Sequence, residues 1–425
     1  MSSPYKRRDT ISWALYDWAN SAFATTVLAG FFPVFFQKFW STGVDPTVST
    51  SRLGFANGIA GLLVAIAAPV LGAMADRTAG RKRQLLLWTA LGVLGTASLG
   101  FIGQGQWQWA AAAFVIAGIG FNAANIFYDA LLLDVAEESE YDRVSAFGYS
   151  AGYLGGGLLF AVNVLMTLQP AWFGLANAAD AVLASFMTVA LWWAVFTIPL
   201  ARNVRERPAV QADAVGGWQA IRSAFGELGR TLRNVLRHRE VSLFLLAYWL
   251  YIDGVHTIYT MAVDYGVALG LPTSSLLAAL LLTQFVAFPS ALALGWLGNR
   301  YGAKNGILLC IAVYFAATLY AYVLDTVAEF FALAVVVGLV QGGVQSLSRS
   351  FFGRLVPEGK GGEFFGFYNM MGKFASFLGP MLIAVVALTT GDSRASITSL
   401  VVLFIAGGVL LWRVPSSGGA GSAGR

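Results

Sequence analysis

Six ionisable side chains sit inside long apolar runs of this 425-residue sequence: Asp17, Asp129, Asp253, His256, Arg349 and Lys373. Burying a charge in hydrocarbon costs at least a few kcal/mol, so such residues are functional candidates by default. Three carboxylates, two cations and a histidine, the side chain that changes charge nearest neutral pH, can bind charged groups of a solute and pass protons. They are poorly suited to covalent catalysis. No HExxH, GxSxG or paired-histidine motif accompanies them, and no Walker lysine motif is present to draw on ATP. One cysteine, Cys310, rules out a disulfide within the chain, and two histidines, His238 and His256, are too few for most catalytic metal sites. Neither a metal nor a cofactor is expected.

Each candidate has a plainer reading beside it. Asp17 lies about two turns into the first apolar run, where a helix-entry aspartate is also favoured by the helix dipole. Asn20, one turn further, shares its face and suits a substrate. Asp253 and His256, three residues apart, share a face with Tyr259 and Thr260 and form a candidate proton relay, although a histidine in a span is often only hydrogen-bonded packing. Lys373 falls near the middle of its run, too far from either end to reach water by snorkelling. Asp129 and Arg349 carry opposite charge at matching places in the two halves of the chain, and either gate the molecule as a pair or bind separately.

The runs that hold these residues define the class. The sequence is 57% hydrophobic and 12% charged, with mean hydropathy +0.67. Soluble domains carry about 25% charged residues, so a cytosolic enzyme, a nucleic-acid binder and a disordered chain are all excluded. A span needs roughly 20 apolar residues, and twelve windows qualify: 11–36, 54–75, 84–103, 109–134, 144–168 and 179–200, then 241–269, 274–297, 303–324, 329–352, 364–389 and 395–412. Their length excludes a β-barrel. The polar, basic start is followed by a run too long for a signal peptide, so that run reads as the first span. With the amino terminus inside, 22 of the 27 Lys and Arg fall in inside segments and 3 outside. That bias places both termini in the cytoplasm. The expected organisation is an amino-terminal six-helix bundle (1–200), a linker (201–240), a carboxy-terminal six-helix bundle (241–413) and a tail (414–425). In the linker Trp218, Ile221, Phe225, Leu228, Leu232 and Val235 make an apolar stripe flanked by arginines, which suits a helix lying on an anionic leaflet.

The halves repeat. Gly72-Ala-Met-Ala-Asp76-Arg77-Thr-Ala-Gly80-Arg81-Lys82 after the second run is echoed by Gly295-Trp-Leu-Gly-Asn299-Arg300-Tyr-Gly302-Ala-Lys304 after the eighth. An ungapped offset of 220 aligns Asn125 with Gln345, Asp129 with Arg349, Asp134 with Arg354, Phe147 with Phe367 and Gly152 with Gly372. Two six-span bundles related by a pseudo-two-fold along the membrane normal follow. The Gly72–Lys82 loop resembles the signature of the major facilitator superfamily, with one extra residue before Gly80 and Asn299 in place of aspartate in its second copy. Tyr16-Asp17-Trp18-Ala19-Asn20-Ser21-Ala22-Phe23, Phe127-Tyr128-Asp129-Ala130-Leu131-Leu132 and Gly152-Tyr153-Leu154-Gly155-Gly156 resemble the vacuolar-effluxer-like branch of that superfamily.

The resemblance implies an all-α integral membrane protein of twelve transmembrane helices in two pseudo-symmetric bundles, working as a secondary transporter by alternating access. Fungal members are associated with amino-acid efflux, which agrees with the opposite charges available for a zwitterion. Asn20, Asn125 and Gln345 join the charged set as substrate or proton candidates. Gly72, Asp76, Arg77, Gly80 and Arg81 are expected to gate, with the Asp76 carboxylate set against the amino terminus of the eleventh span. The expected partners are a small solute, the bilayer of a bacterial plasma membrane and coupling protons, with no nucleic acid. A sugar or drug transporter of the same fold is the alternative, supported by the amide and aromatic content and by a likeness of residues 125–133 to sugar–cation symporters. A membrane-embedded enzyme is the rival from another class.

Overall fold

A computed structural model describes residues 4–43, 80–206, 237–375 and 378–415, with residues 52, 63, 67, 68, 71, 72 and 233. Among the described residues every regular element is a helix. Ten segments among the described residues are long and apolar enough to cross a membrane. Most of the predicted second span, Asp76, Arg77, the linker stripe and the tail beyond residue 415 lie outside the described residues.

The helices follow the hydropathy windows closely. They are α1 (Pro4–Ala22), α2 (Arg81–Leu99), α3 (Trp107–Ala130), α4 (Tyr141–Leu168), α5 (Ala178–Asn203), α6 (Arg239–Ala268), α7 (Thr273–Tyr301), α8 (Ala303–Ala321), α9 (Val327–Leu355), α10 (Gly361–Phe374), α11 (Leu378–Thr390) and α12 (Val401–Arg413). From Ala22 the first span continues through π-helical turns, Phe23–Phe31 and Phe36–Trp40. The helix α2 covers the third window but is not among the ten apolar spans, because its first turn is Arg81-Lys82-Arg83.

Local chemistry fixes several ends. Thr326 and Glu329 form a reciprocal capping box at the start of α9, satisfying amide groups that a helix leaves free. Glu206 does the same for α2 from a distance. Its two carboxylate oxygens accept from the Arg81 and Lys82 amides at 2.9 and 2.8 Å, tying the end of α5 to the start of α2.

The window 364–389 is met by one apolar span, 361–390, in which α10 ends at Phe374 and α11 is described from Leu378. Lys373 therefore stands in the last turn of a helix and not in the middle of an unbroken one. Buried apolar side chains form two large clusters. One runs from Trp13 to Val204, and the other takes in Val241 to Val414 with Ala130. The two bundles meet mainly through α4 against α7 and α9. We call the side where α1, α2 and α10 begin the basic face.

Candidate functional site

Where the two bundles meet, the side chains enclose a cavity of about 310 Å³. Pockets for small solutes start near ~300 Å³. From the first bundle it takes Asp17, Asn20, Asn125 and Asp129; from the second, His256, Gln345, Arg349 and Lys373. Eight of the nine predicted binding candidates thus share one cavity. Asp253 is the exception. Fully buried, it accepts the Leu378 and Gly379 amides at 2.9 and 2.8 Å and the Thr257 hydroxyl at 3.2 Å. It caps the first described amides of α11, because amides at a helix start deep in a bundle need an acceptor. The i, i+3 relation with His256 is real, yet the two side chains serve different neighbours.

Arg349 forms the floor. Its side chain is 1% exposed and reaches out of α9 into the opposite bundle. Nη1 donates to Asp129 Oδ1 at 3.0 Å, while Nε and Nη2 donate to the hydroxyl and carbonyl of Ser145, each at 2.9 Å. Asp17 Oδ2 stands 3.9 Å away. Three rings surround the guanidinium, with Tyr149 at 4.3 Å, Trp13 at 4.9 Å and Tyr128 at 5.3 Å from its carbon. Gly148 makes the entry possible. A Cβ there would stand 2.8 Å from the Trp13 ring and the Tyr128 hydroxyl and 3.1 Å from Arg349.

The carboxylates are held from both sides. Asp129 Oδ2 accepts from Asn369 at 2.9 Å, so this one residue of α3 binds both α9 and α10. Asp17 accepts from Tyr128 at 3.1 Å and Ser21 at 3.2 Å. Asn20 donates to Asn125 at 2.7 Å. Lys373 and His256 differ from these. Among the described residues neither side chain has a hydrogen-bond partner or an ion pair, and both line the cavity.

Below the floor a second layer closes the basic face. Arg354 of α9 grips Asp142 of α4 with two parallel bonds of 2.8 and 2.9 Å, and Ser350 donates to the same carboxylate. Arg81 pairs with Asp134 at 3.0 Å beside Gly361, the first residue of α10. The glycines of the repeated loops lie at symmetry-related crossings. Gly72 abuts the Gly362 carbonyl, and Gly295 abuts Ala146 and the Asp142 carbonyl. Any side chain at either position would overlap its neighbour. Of the expected gating residues, Gly72, Gly80 and Arg81 are thus seen at this face, with Arg81 bridging to Asp134.

Sequence reasoning passed over several members of the site. Asn369 lies four residues before Lys373 on the same helical face, and that spacing could have shown it. Asp142 aligns with Gly362 at the 220 offset, so the repeat gives it no charged counterpart to reveal its pairing with Arg354. Gln284 and Gln341 carry no signal of their own, since a polar residue in a span becomes a site residue only through packing.

This chain resembles known proteins. Residues 5–140 and 133–424 match the family model described as vacuole effluxer Atg22 like. The MFS-type transporter YxiO of Bacillus subtilis is 40% identical over 407 residues, 95% of this chain and 94% of that one. Autophagy-related protein 22-2 of Penicillium rubens is 28% identical over 304 residues, 65% of this chain but 50% of the fungal protein. Among solved structures, the human organic anion transporter MFSD10 superposes with a TM-score of 0.74 at 16% identity, covering 96% of this chain and 100% of that one. The proton:xylose symporter XylE superposes with a TM-score of 0.70 at 16% identity, covering 97% and 96%. At such identities the structures show the major facilitator fold alone. The two-bundle architecture, the cavity between the bundles and the family match together make this chain a multi-pass membrane transporter, and it belongs to the Atg22-like family of the major facilitator superfamily.

Proposed function

We propose that this transporter moves a small zwitterion, an amino acid or a close relative, with protons as the coupling ion. One observation carries the reading. The cavity holds an ammonium, Lys373, with no hydrogen bond or ion pair among the described residues, in the same wall system as two carboxylates, Asp17 and Asp129. A zwitterion meets both, its carboxylate on Lys373 and its ammonium toward the aspartates. The formal charges of Asp17, Asp129, Arg349 and Lys373 cancel, so a solute of no net charge enters without leaving an uncompensated charge in a low-dielectric site. Proton coupling is supported by the same carboxylates and by His256, all of which reach the cavity.

The bundles are joined through the linker at 201–240 and rock about the cavity, with the basic face in the cytoplasm of a bacterial plasma membrane, as the charge bias supports. The present arrangement then is closed toward the cytoplasm. Gly72, Asp76, Arg77, Gly80 and Arg81 act as gating parts, made and broken with each cycle. A sugar is the second reading, favoured by the side-chain oxygens of Gln284 and Gln341, which are buried without a partner among the described residues. Hydroxyl donors would satisfy them.

A thermal-shift screen of amino acids, peptides, sugars and nucleosides on the purified protein separates the two, because a ligand that binds the native state raises its apparent stability. Zwitterionic amino acids should shift the transition, and Lys373→Met should abolish the shift. A shift with sugars alone would replace this reading with the second.

A further inference from the structure

Every group that holds the Arg349 guanidinium belongs to the bundle opposite its own: Asp17 and Asp129, the Ser145 hydroxyl and carbonyl, and the rings of Trp13, Tyr128 and Tyr149. We infer that the first bundle carries a complete site for an organic cation, an ammonium or a guanidinium, and that Arg349 is its built-in occupant in this state. The inference rests on the zwitterion reading only for the identity of the competing cation.

The composition of the site supports it. Carboxylates at 3.0 and 3.9 Å supply charge, a carbonyl and a hydroxyl at 2.9 Å supply directed acceptors, and rings at 4.3–5.3 Å supply the faces that organic cations prefer. One arginine against two aspartates leaves a net negative charge. When the basic face opens, Arg349 leaves with the second bundle while both aspartates and all three rings stay behind. An emptied site of that kind must take up a cation from solution or bind protons, since two desolvated carboxylates side by side are unfavourable. Asp17, Asp129, Tyr128 and Tyr149 also line the cavity, so a solute cation approaches Arg349 from above. Solute and arginine are then rivals for one site. Displacement of Arg349 by the solute's ammonium would couple solute entry to release of the floor, with no separate signal.

The test is occupation of the vacated site by a free cation. Arg349→Ala removes the tethered guanidinium and leaves the cage. Methylguanidinium or methylammonium at low millimolar concentration should then stabilise Arg349→Ala, raising its apparent melting temperature saturably by about 2–4 °C. Wild type should show a smaller rise, because Arg349 competes for the site, and the double variant Asp129→Asn/Arg349→Ala should show no saturable rise. If Arg349→Ala does not fold, the wild-type floor serves instead. A cysteine replacing Ser346, fully buried beside Ser145, should be alkylated from the basic face at least several-fold faster with the cation present, in a Cys310→Ser background. Equal response of Arg349→Ala and the double variant, or no acceleration at Ser346→Cys, would overturn the inference. Stabilisation by both free cations without any response to amino acids would leave the cation site standing and remove the zwitterion reading.

Discussion

Replacing Arg349 with glutamine removes the guanidinium but keeps a polar side chain of moderate length, and the structure gives the size of the effect. Three bonds across the two bundles disappear, at 2.9, 2.9 and 3.0 Å, two of them to Ser145 and one to Asp129. Asp129 keeps Asn369 but loses its counter-charge while remaining 10% exposed. Breaking a buried pair costs ~3–5 kcal/mol when burial is complete. Asp129 faces a cavity, so we take the lower end, about 3 kcal/mol, which is about a hundred-fold in an equilibrium. That energy is lost only from the state closed at the basic face, so the balance moves toward opening. The assay is the alkylation rate of a cysteine at Ser346 from the basic face, with Cys310→Ser as background. The rate should rise by about a hundred-fold in Arg349→Gln and in Asp129→Asn, and transport should fall in both. The charge swap Asp129→Arg with Arg349→Asp should recover only part of it. The swapped aspartate would face the Ser145 carbonyl, acceptor against acceptor, and the swapped arginine would face the Asn369 amide, donor against donor. Labelling unchanged from wild type in both single variants, in folded protein, would refute the floor as a gate.

Arg354→Gln should also loosen the basic face, but less. Its side chain is 20% exposed, so about 1.5 kcal/mol and a tenfold rise in the same labelling rate are expected. Gly72→Leu and Gly295→Leu should each hold the basic face open, because the new side chain meets a backbone carbonyl that cannot move aside; normal closure in either, read as protection of the Ser346 cysteine, would contradict the crossings described. Lys373→Met should raise the melting temperature while abolishing transport, since it removes a buried charge with no partner among the described residues. A fall in melting temperature would mean that Lys373 is structural. Asp253→Ala should lower stability by about 1–3 kcal/mol, measured by thermal unfolding, as two amides at the start of α11 lose their acceptor.

The arrangement of spans was legible because a bilayer demands long apolar runs, and the predicted windows agree with the described helices to within about one turn at most ends. The pairing of Asp129 with Arg349 was legible for a different reason. Duplication leaves equivalent positions facing each other across the pseudo-two-fold, so an offset of 220 in sequence became a 3.0 Å contact in space. The end of α10 at Phe374 was not legible. The sequence there is mostly apolar, and the first described amides of α11 find their acceptor in Asp253, more than a hundred residues away. For that reason Asp253, which by itself reads as a binding residue, serves as a cap. The cage around Arg349 was hidden in the same way. Trp13, Tyr128 and Tyr149 sit on separate helices, and only the close approach allowed at Gly148 turns them into one site.

The central claim, that a zwitterion is carried through the cavity between Lys373 and the Asp17–Asp129 pair, is tested most directly by counterflow in proteoliposomes. Vesicles loaded with an unlabelled amino acid mixture and diluted into labelled amino acid should accumulate label transiently with wild-type protein. Lys373→Met and Arg349→Gln should accumulate none above empty vesicles. Undiminished counterflow by Lys373→Met, or counterflow of sugars but of no amino acid by the wild type, would contradict the account.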